Sequence, residues 1–406
     1  MNVLEINYTD LPGHIFNGYD LHLRLNQLGF DARMIVRSKK SLQNTVYEIS
    51  IDEILHQQLI YFEKKYSVSN VVFPYAFQLQ KMEEFQKADL VHYHILHNQT
   101  LSLLDYPNLM NWKYSVWTVH DPWIITGNCI HPLECQKWRT GCGNCSNIQE
   151  HTYKMNQDNT RFMWNLKKDV LKQINPDIVV SCNFMKKYLQ ESPLTNHFNK
   201  IHIIPFGVDT SKYDPLKKNK RKQEYGIDTN KMVIGFRSSR DIIKGCNFLY
   251  KALEMFSSNE NITLLCVGEY SVPEYIAKKY QTIKLGWLNQ EDQMIAFMEA
   301  CDIFVMPSLA ESFGMMAVEA LAAGCSFICF QTTVMEEISQ SPDCGIAVQY
   351  QSSEAIAKAI YQLMIHPETR KKRGMQGREL IKQAYTIDQY VEKHKNLYEN
   401  ILVRDR

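Results

Sequence analysis

Short runs rich in β-branched and aromatic residues alternate with stretches of helical periodicity along nearly the whole chain, and that alternation constrains the fold more than any other feature. Strands are predicted at residues 3–8, 32–36, 90–94, 115–120, 178–181 and 201–205. The rhythm breaks at Pro205-Phe206-Gly207-Val208-Asp209, and a polar, basic stretch runs on to about Asn230. It restarts with strands predicted at 232–236, 263–267, 284–285, 303–306 and 327–330. Strand–helix alternation of this kind builds parallel sheets with crossover helices. A chain of 406 residues also exceeds one ordinary domain. The expectation is therefore two Rossmann-like α/β domains facing a cleft, residues 1–205 and 206–385. An irregular Cys-rich insertion spans 122–146, and a charged helix at 386–406 packs back on the first domain. Ligands of open α/β sheets sit outside the carboxyl ends of the strands, so the chemistry is expected just after them.

Composition removes several classes. The formal net charge is +1, which gives no electrostatic reason for a nucleic-acid partner. The local run Lys217-Lys218-Asn219-Lys220-Arg221-Lys222 reads first as a solvated loop, with a peripheral membrane contact as the sharper alternative. The first residues have no basic segment followed by an apolar one, and no stretch is long and apolar enough to span a bilayer. The 11 cysteines are odd in number and scattered, which favours a reducing compartment. A cytoplasmic protein is expected, with the inner membrane face as the surface that the basic run would meet under the sharper alternative.

The most informative segment runs from Met306 to Gly324. A strand ends, a loop carries Glu311, and a helix starts near Phe313 or Gly314, with Met315 in its first turn. The helix is apolar or small nearly all round and is expected to be buried, with Glu319 inside it. A buried carboxylate needs a partner, and a ribose diol would be one. The helix start offers backbone N–H groups to a phosphate or to sugar hydroxyls. The bland alternative is a loop charge at Glu311 and a surface charge at Glu319. In the frame Glu-Ser-Phe-Gly…Glu-Ala-Leu-Ala-Ala-Gly, however, Glu311 and Glu319 resemble the E-x7-E signature of retaining family 4 glycosyltransferases of the GT-B fold. The resemblance implies that Glu311 lies at the donor sugar and Glu319 at the ribose, with Phe313, Gly314 and Met315 also on the donor.

The same resemblance puts Lys244 on the family's phosphate lysine. The family's arginine falls where this chain has Ser239, leaving Arg240 as first choice and Arg237 as second. Cations here could neutralise a departing diphosphate. No Asp-x-Asp pair occurs, consistent with a transfer that uses no catalytic divalent metal. Gly286-Trp287-Leu288 resembles the nucleobase loop, and its bland reading is a turn with a core Trp. His120-Asp121 ends a strand, and the resemblance places His120 at the donor sugar or the approaching acceptor. Gly13 and Gly18 resemble the family's glycine loop near the diphosphate, against an ordinary turn and helix start. No general base is visible.

Cys129, Cys135, Cys142 and Cys145 fall in one short segment with His131 among them. Cys142-Gly143-Asn144-Cys145 has the spacing of a zinc knuckle, so a structural zinc is one reading; buried thiols, a redox pair or disulfides are others. Residues 120–145 also resemble a branch of bacterial surface-polysaccharide glycosyltransferases. The resemblance therefore implies a retaining transfer from a nucleoside-diphosphate sugar, UDP-linked first and GDP-linked second, to a glycan or lipid-linked acceptor. The rivals are a GT-B nucleotide-sugar epimerase and a non-catalytic glycan-binding or partner subunit.

Overall fold

The computed structural model describes residues 1–11, 13–149, 153–257 and 261–403. It divides into two compact units, one made of residues 1–205 together with those from Tyr390 onward, the other of Phe206–Gln389. Each contains one sheet, and every pairing in both sheets is parallel.

The first unit holds β1 (Asn2–Thr9), β2 (Asp31–Ser38), β3 (Val46–Glu48), β4 (Leu90–Tyr93), β5 (Tyr114–Thr118), β6 (Asp177–Val180) and β7 (Ile201–Ile203), in the order β3-β2-β1-β4-β5-β6-β7. The second holds β8 (Met232–Arg237), β9 (Ile262–Val267), β10 (Gln281–Lys284), β11 (Ile303–Met306), β12 (Ser326–Phe330) and β13 (Gly345–Val348), in the order β10-β9-β8-β11-β12-β13. Central strands such as Ile-Thr-Leu-Leu-Cys-Val in β9 and Ile-Phe-Val-Met in β11 are buried at every position, because helices cover both faces of a parallel sheet. In each unit the order reverses beside a central strand, between β1 and β4 in the first and between β8 and β11 in the second. These are the topological switch points at which such sheets bind ligands.

Two strands escape the sequence pattern, β3 and β13. Both are outermost in their sheets and only three and four residues long, as are β7 and β10, which the sequence pattern does mark.

The basic run corrects its first reading as a solvated loop. Residues Lys218–Glu224 form a helix whose cations are committed to the second unit. Arg221 Nε donates to the fully buried Glu299 at 2.8 Å. Lys222 is itself buried, and its Nζ lies 2.6 Å from Asp302 Oδ2. The same oxygen accepts the Val233 N–H at 2.9 Å, and Lys218 stands 3.5 Å from Oδ1. These partners hold the Asp302 carboxyl below the usual carboxylate range, although burial pulls the other way. Removing one member of a buried pair strands the other charge. Asp302→Ala should therefore cost about 3–5 kcal/mol in urea unfolding of the second unit, and Asp302→Leu combined with Lys222→Met distinctly less. Equal losses for the single and double variants would contradict this reading.

Candidate functional site

In the second unit the candidate residues gather at the β8/β11 switch point. Beyond β8, Asp241 accepts the Ile243 N–H at 2.9 Å and caps the single turn Ile242–Lys244. Gly245 comes next, in the left-handed region at φ +63°, and a Cβ there would lie 1.8 Å from the Pro307 carbonyl oxygen. That close approach lets the loop after β8 touch the loop after β11, where Leu309 N–H donates to the Ile243 carbonyl at 2.7 Å. Two residues far apart in sequence consequently meet. Lys244 Nζ is 2.7 Å from Glu311 Oε1, and the Ser308 hydroxyl donates to the same oxygen at 3.0 Å. Both charged side chains remain partly open to solvent, at 21% and 14% exposure, as a pair able to exchange partners must be.

The helix Met315–Ala322 begins as expected, with Gly314 at φ +90° as its N-cap. Its inner face, Ala317, Val318, Ala320, Leu321 and Ala322, is buried. Glu319 corrects the expectation of a buried carboxylate: it is half-buried, on the edge of that face. Its charge reaches the buried Tyr213, whose phenol pKa is raised by burial first and by Glu319 next. The Phe313 ring is buried against Phe206 at 5.3 Å and Tyr385 at 6.0 Å, so only its backbone is left for a ligand. Met315 is half-buried in the first turn. Arg240 is exposed and lies over the Tyr270 ring at 4.7 Å, and Arg237 lies over Trp287 at 5.2 Å. Trp287 is 50% exposed, which overturns the core-Trp reading of that turn.

In the first unit His120 does not act with its neighbour Asp121. Asp121 turns back: Oδ1 accepts the Trp123 N–H at 2.8 Å and Oδ2 meets His97 Nε2 at 3.0 Å. Burial opposes its ionisation, yet His97 and the Trp123 N–H bring the carboxyl down to about 2. The half-buried His120 joins a different group, its Nε2 lying 3.2 Å from His94 Nδ1. His94 Nε2 lies 2.6 Å from Glu5 Oε2, and His92 Nδ1 lies 3.1 Å from the same oxygen. Glu5, His92 and His94 are fully buried or nearly so.

Among the described residues, these three form the group of His, Cys, Asp or Glu side chains whose polar atoms converge within 4.8 Å of one another. The sequence reasoning missed them, although His92-Tyr93-His94 ending an apolar strand was a readable signal. Gly18, at φ +88°, serves this group, because a Cβ there would meet His94 Nε2 at 2.4 Å. Gly13 closes the preceding turn by accepting from Phe16 and Asn17 N–H, and the Phe16 ring meets His120 edge-on at 6.2 Å.

In the cysteine loop no three of the four sulfurs lie within 4.8 Å of one another. Cys129 and Cys142 are raised by burial, Cys129 to about 12. Cys142 Sγ accepts the Gly127 N–H at 3.2 Å. Beside them lies Lys167, another residue the sequence did not single out. It is fully buried, donates to the Trp123 and Thr126 carbonyls at 2.5 and 2.9 Å, and is lowered by burial to about 7.

With this geometry in hand, likeness to known proteins is decisive. The model for glycosyl transferases group 1 matches residues 217–380, and that for Glycosyltransferase Family 4 matches residues 19–212. The chain belongs to the family 4 glycosyltransferases. WcaC of Escherichia coli (strain K12), named as a putative colanic acid biosynthesis glycosyl transferase, is 19% identical over 99% of this chain and all of its own length. Several other curated glycosyltransferases are matched over only about half of their length.

Sucrose-phosphate synthase from Thermosynechococcus elongatus has the same fold, with a TM-score of 0.69 at 16% identity and 99% of each chain covered. So has Anabaena HepE in complex with UDP-glucose, with a TM-score of 0.68 at 13% identity, covering 98% of this chain and 99% of that one. The fold is GT-B, and the chain is a glycosyltransferase enzyme. No helix among the described residues is long and apolar enough to cross a membrane.

The two loops of the second unit depend on Gly245. Gly245→Ala should displace Lys244 from Glu311 and lower the thermal midpoint, because the added methyl meets a backbone carbonyl and the φ is unfavourable for any L side chain. A variant with unchanged midpoint and unchanged activity would show that the close approach is not needed.

Proposed function

We propose that this glycosyltransferase moves a sugar, with retention of configuration, from a nucleoside-diphosphate donor to a glycan or lipid-linked acceptor in surface-polysaccharide synthesis. The observation that carries the reading is the Lys244–Glu311 pair at the β8/β11 switch point, where a doubly wound sheet receives its ligand. In this reading Lys244 and Arg240 meet the diphosphate and stabilise it as it leaves, with no divalent metal taking that role. Glu311 orients the sugar, and Glu319 holds the ribose. The start of the helix Met315–Ala322 supplies N–H groups to the donor. His120 faces the sugar or the acceptor. Gly13 and Gly18 shape the loop beside it.

A UDP-sugar is the first candidate donor and a GDP-sugar the second. The UDP-glucose held by HepE supports this choice. Encounter with a lipid-linked acceptor would occur in the cytoplasm, at the inner membrane face.

A thermal-shift panel of UDP, GDP, ADP and their sugars tests the donor. Ligand at a hundred times its dissociation constant stabilises the native state by about 2.7 kcal/mol. Glu311→Ala and Lys244→Ala should each cut turnover by ~100-fold or more without loss of fold. Glu319→Ala should act mainly on donor KM. A response to no nucleotide, or full turnover in either of the first two variants, would refute the assignment.

For the cysteine loop we propose a structural zinc on Cys129, Cys135, Cys142 and Cys145. The donor set supports it: four thiols in one loop, one already accepting a backbone N–H, and a buried ammonium to offset thiolate charge. Closing the site requires the sulfurs to draw together and lose their protons. Elemental analysis of protein purified without chelator should find one zinc per chain, lost in Cys142→Ser combined with Cys145→Ser. Metal-free protein with all four thiols open to alkylation would end this proposal.

A further inference from the structure

The polar atoms around Glu5 admit one consistent placement of protons. Tyr398, on the helix Ile387–Val403, donates to Glu5 Oε1 at 3.2 Å. His92 Nδ1 lies 2.6 Å from the Tyr398 hydroxyl oxygen as well as 3.1 Å from Glu5 Oε2, so it must donate, because that hydroxyl has spent its one proton. His92 Nε2 then accepts from the Thr118 hydroxyl at 2.7 Å. His94 Nε2, 2.6 Å from Glu5 Oε2, must also carry a proton, since a bare ring nitrogen there would face a carboxylate lone pair. The neutral His94 ring is left with a lone pair on Nδ1, and across 3.2 Å from it His120 Nε2 has to be the donor.

The protonation energies agree. Burial would raise Glu5, but His92 and His94 hold it well below the usual carboxylate range, so it is an anion. Burial, then His92, brings His94 down to about 4, so it is neutral near pH 7. His120 is likewise held down, by burial first and His94 next. Partners at the ring nitrogens fix which way the His92 and His94 rings face. A Cβ on Gly18 would lie 2.4 Å from His94 Nε2, and the His92 and His94 ring centroids are 4.2 Å apart. His394 and Tyr398 close the far side of His92, at 5.4 and 5.8 Å.

We propose that Glu5 and His94 are positioning residues that fix the tautomer of His120, keeping the proton on Nε2 so that Nδ1 presents a lone pair to a substrate hydroxyl. This rests on the placement of His120 at the sugar or acceptor. An imidazole whose tautomer is set by the packed interior need not move a proton between its nitrogens before a hydroxyl donates to it. The other tautomer would offer an N–H where an acceptor is needed.

The test is a long-range nitrogen–proton NMR spectrum of protein labelled with 15N-histidine, with His120 assigned by its loss in His120→Ala. In the unmodified chain, His120 and His94 should both show protonated Nε2 and bare Nδ1. His94→Phe should mix the tautomers of His120 and lower kcat about tenfold with little change in donor KM. His94→Asn, whose side-chain oxygen replaces the Nδ1 acceptor, should restore part of both. A His120 protonated at Nδ1 in the unmodified chain overturns the proposal even if His94→Phe does not fold. So does a folded His94→Phe with an unchanged His120 signal and unchanged kcat. Retained turnover in His120→Ala would instead remove the role given to His120, while the spectrum would still decide the tautomer.

Discussion

A parallel strand sealed on both faces by helices can carry almost no charge along its length, and this one constraint distributes the chemistry of the whole chain. Charged and polar side chains surface where strands end, and the gap that helices leave uncovered lies where strand order reverses. In the second unit that gap lies between β8 and β11, and the loops leaving those two strands deliver Lys244 and Glu311 to each other. In the first unit it lies between β1 and β4, and there Glu5 and His94 meet, with His120 contributed by the next strand. Each unit thus builds one polar centre at the same topological position in its own sheet.

The exceptions to the rule against buried charge show what it takes to break it. Glu5 is ionised in the interior because three donors converge on its two oxygens. Asp302 is held by two lysines and a backbone N–H, and Glu299 by Arg221 and the Asp214 N–H. Lys167 has two carbonyls and the face of Trp123 beneath its ammonium, at 3.4 Å from the ring centroid, and still its pKa falls to about 7. Against this background the Lys244–Glu311 pair differs in kind. It is only partly covered and lightly supported, a stored pairing that a ligand charge can rearrange at small cost.

Much of this was readable in the sequence, for reasons that differ by feature. Eleven strands announced themselves, the central ones because a fully buried strand must be apolar nearly throughout; β3 and β13 did not, although the equally short edge strands β7 and β10 did. Glu311, Glu319 and Lys244 were singled out through the resemblance to a family signature, because the strand–loop–helix frame alone leaves a loop charge and a surface charge as equal readings of the two carboxylates. The basic run was misread because a string of like charges looks solvated until the acids that pair with it, Asp302 and Glu299, are known to lie about 80 residues away in sequence, a relation that spacing cannot express.

The same limit explains the Glu5 group. Its members come from β1, β4, β5 and the last helix, with Tyr398 lying 393 residues from Glu5, so no local motif contains it. A trace of it nonetheless stands in the chain. His-Tyr-His at the end of an apolar strand places two imidazoles on one face, and a Glu in the middle of β1 places a carboxylate on a strand that otherwise excludes charge. Each violates the rule that buried strands are apolar, and two violations on neighbouring strands are mutually explanatory in a way that one is not. Polar residues that break the pattern of a central strand are therefore best read in pairs, across the register that the strand order implies, here Glu5 opposite His92.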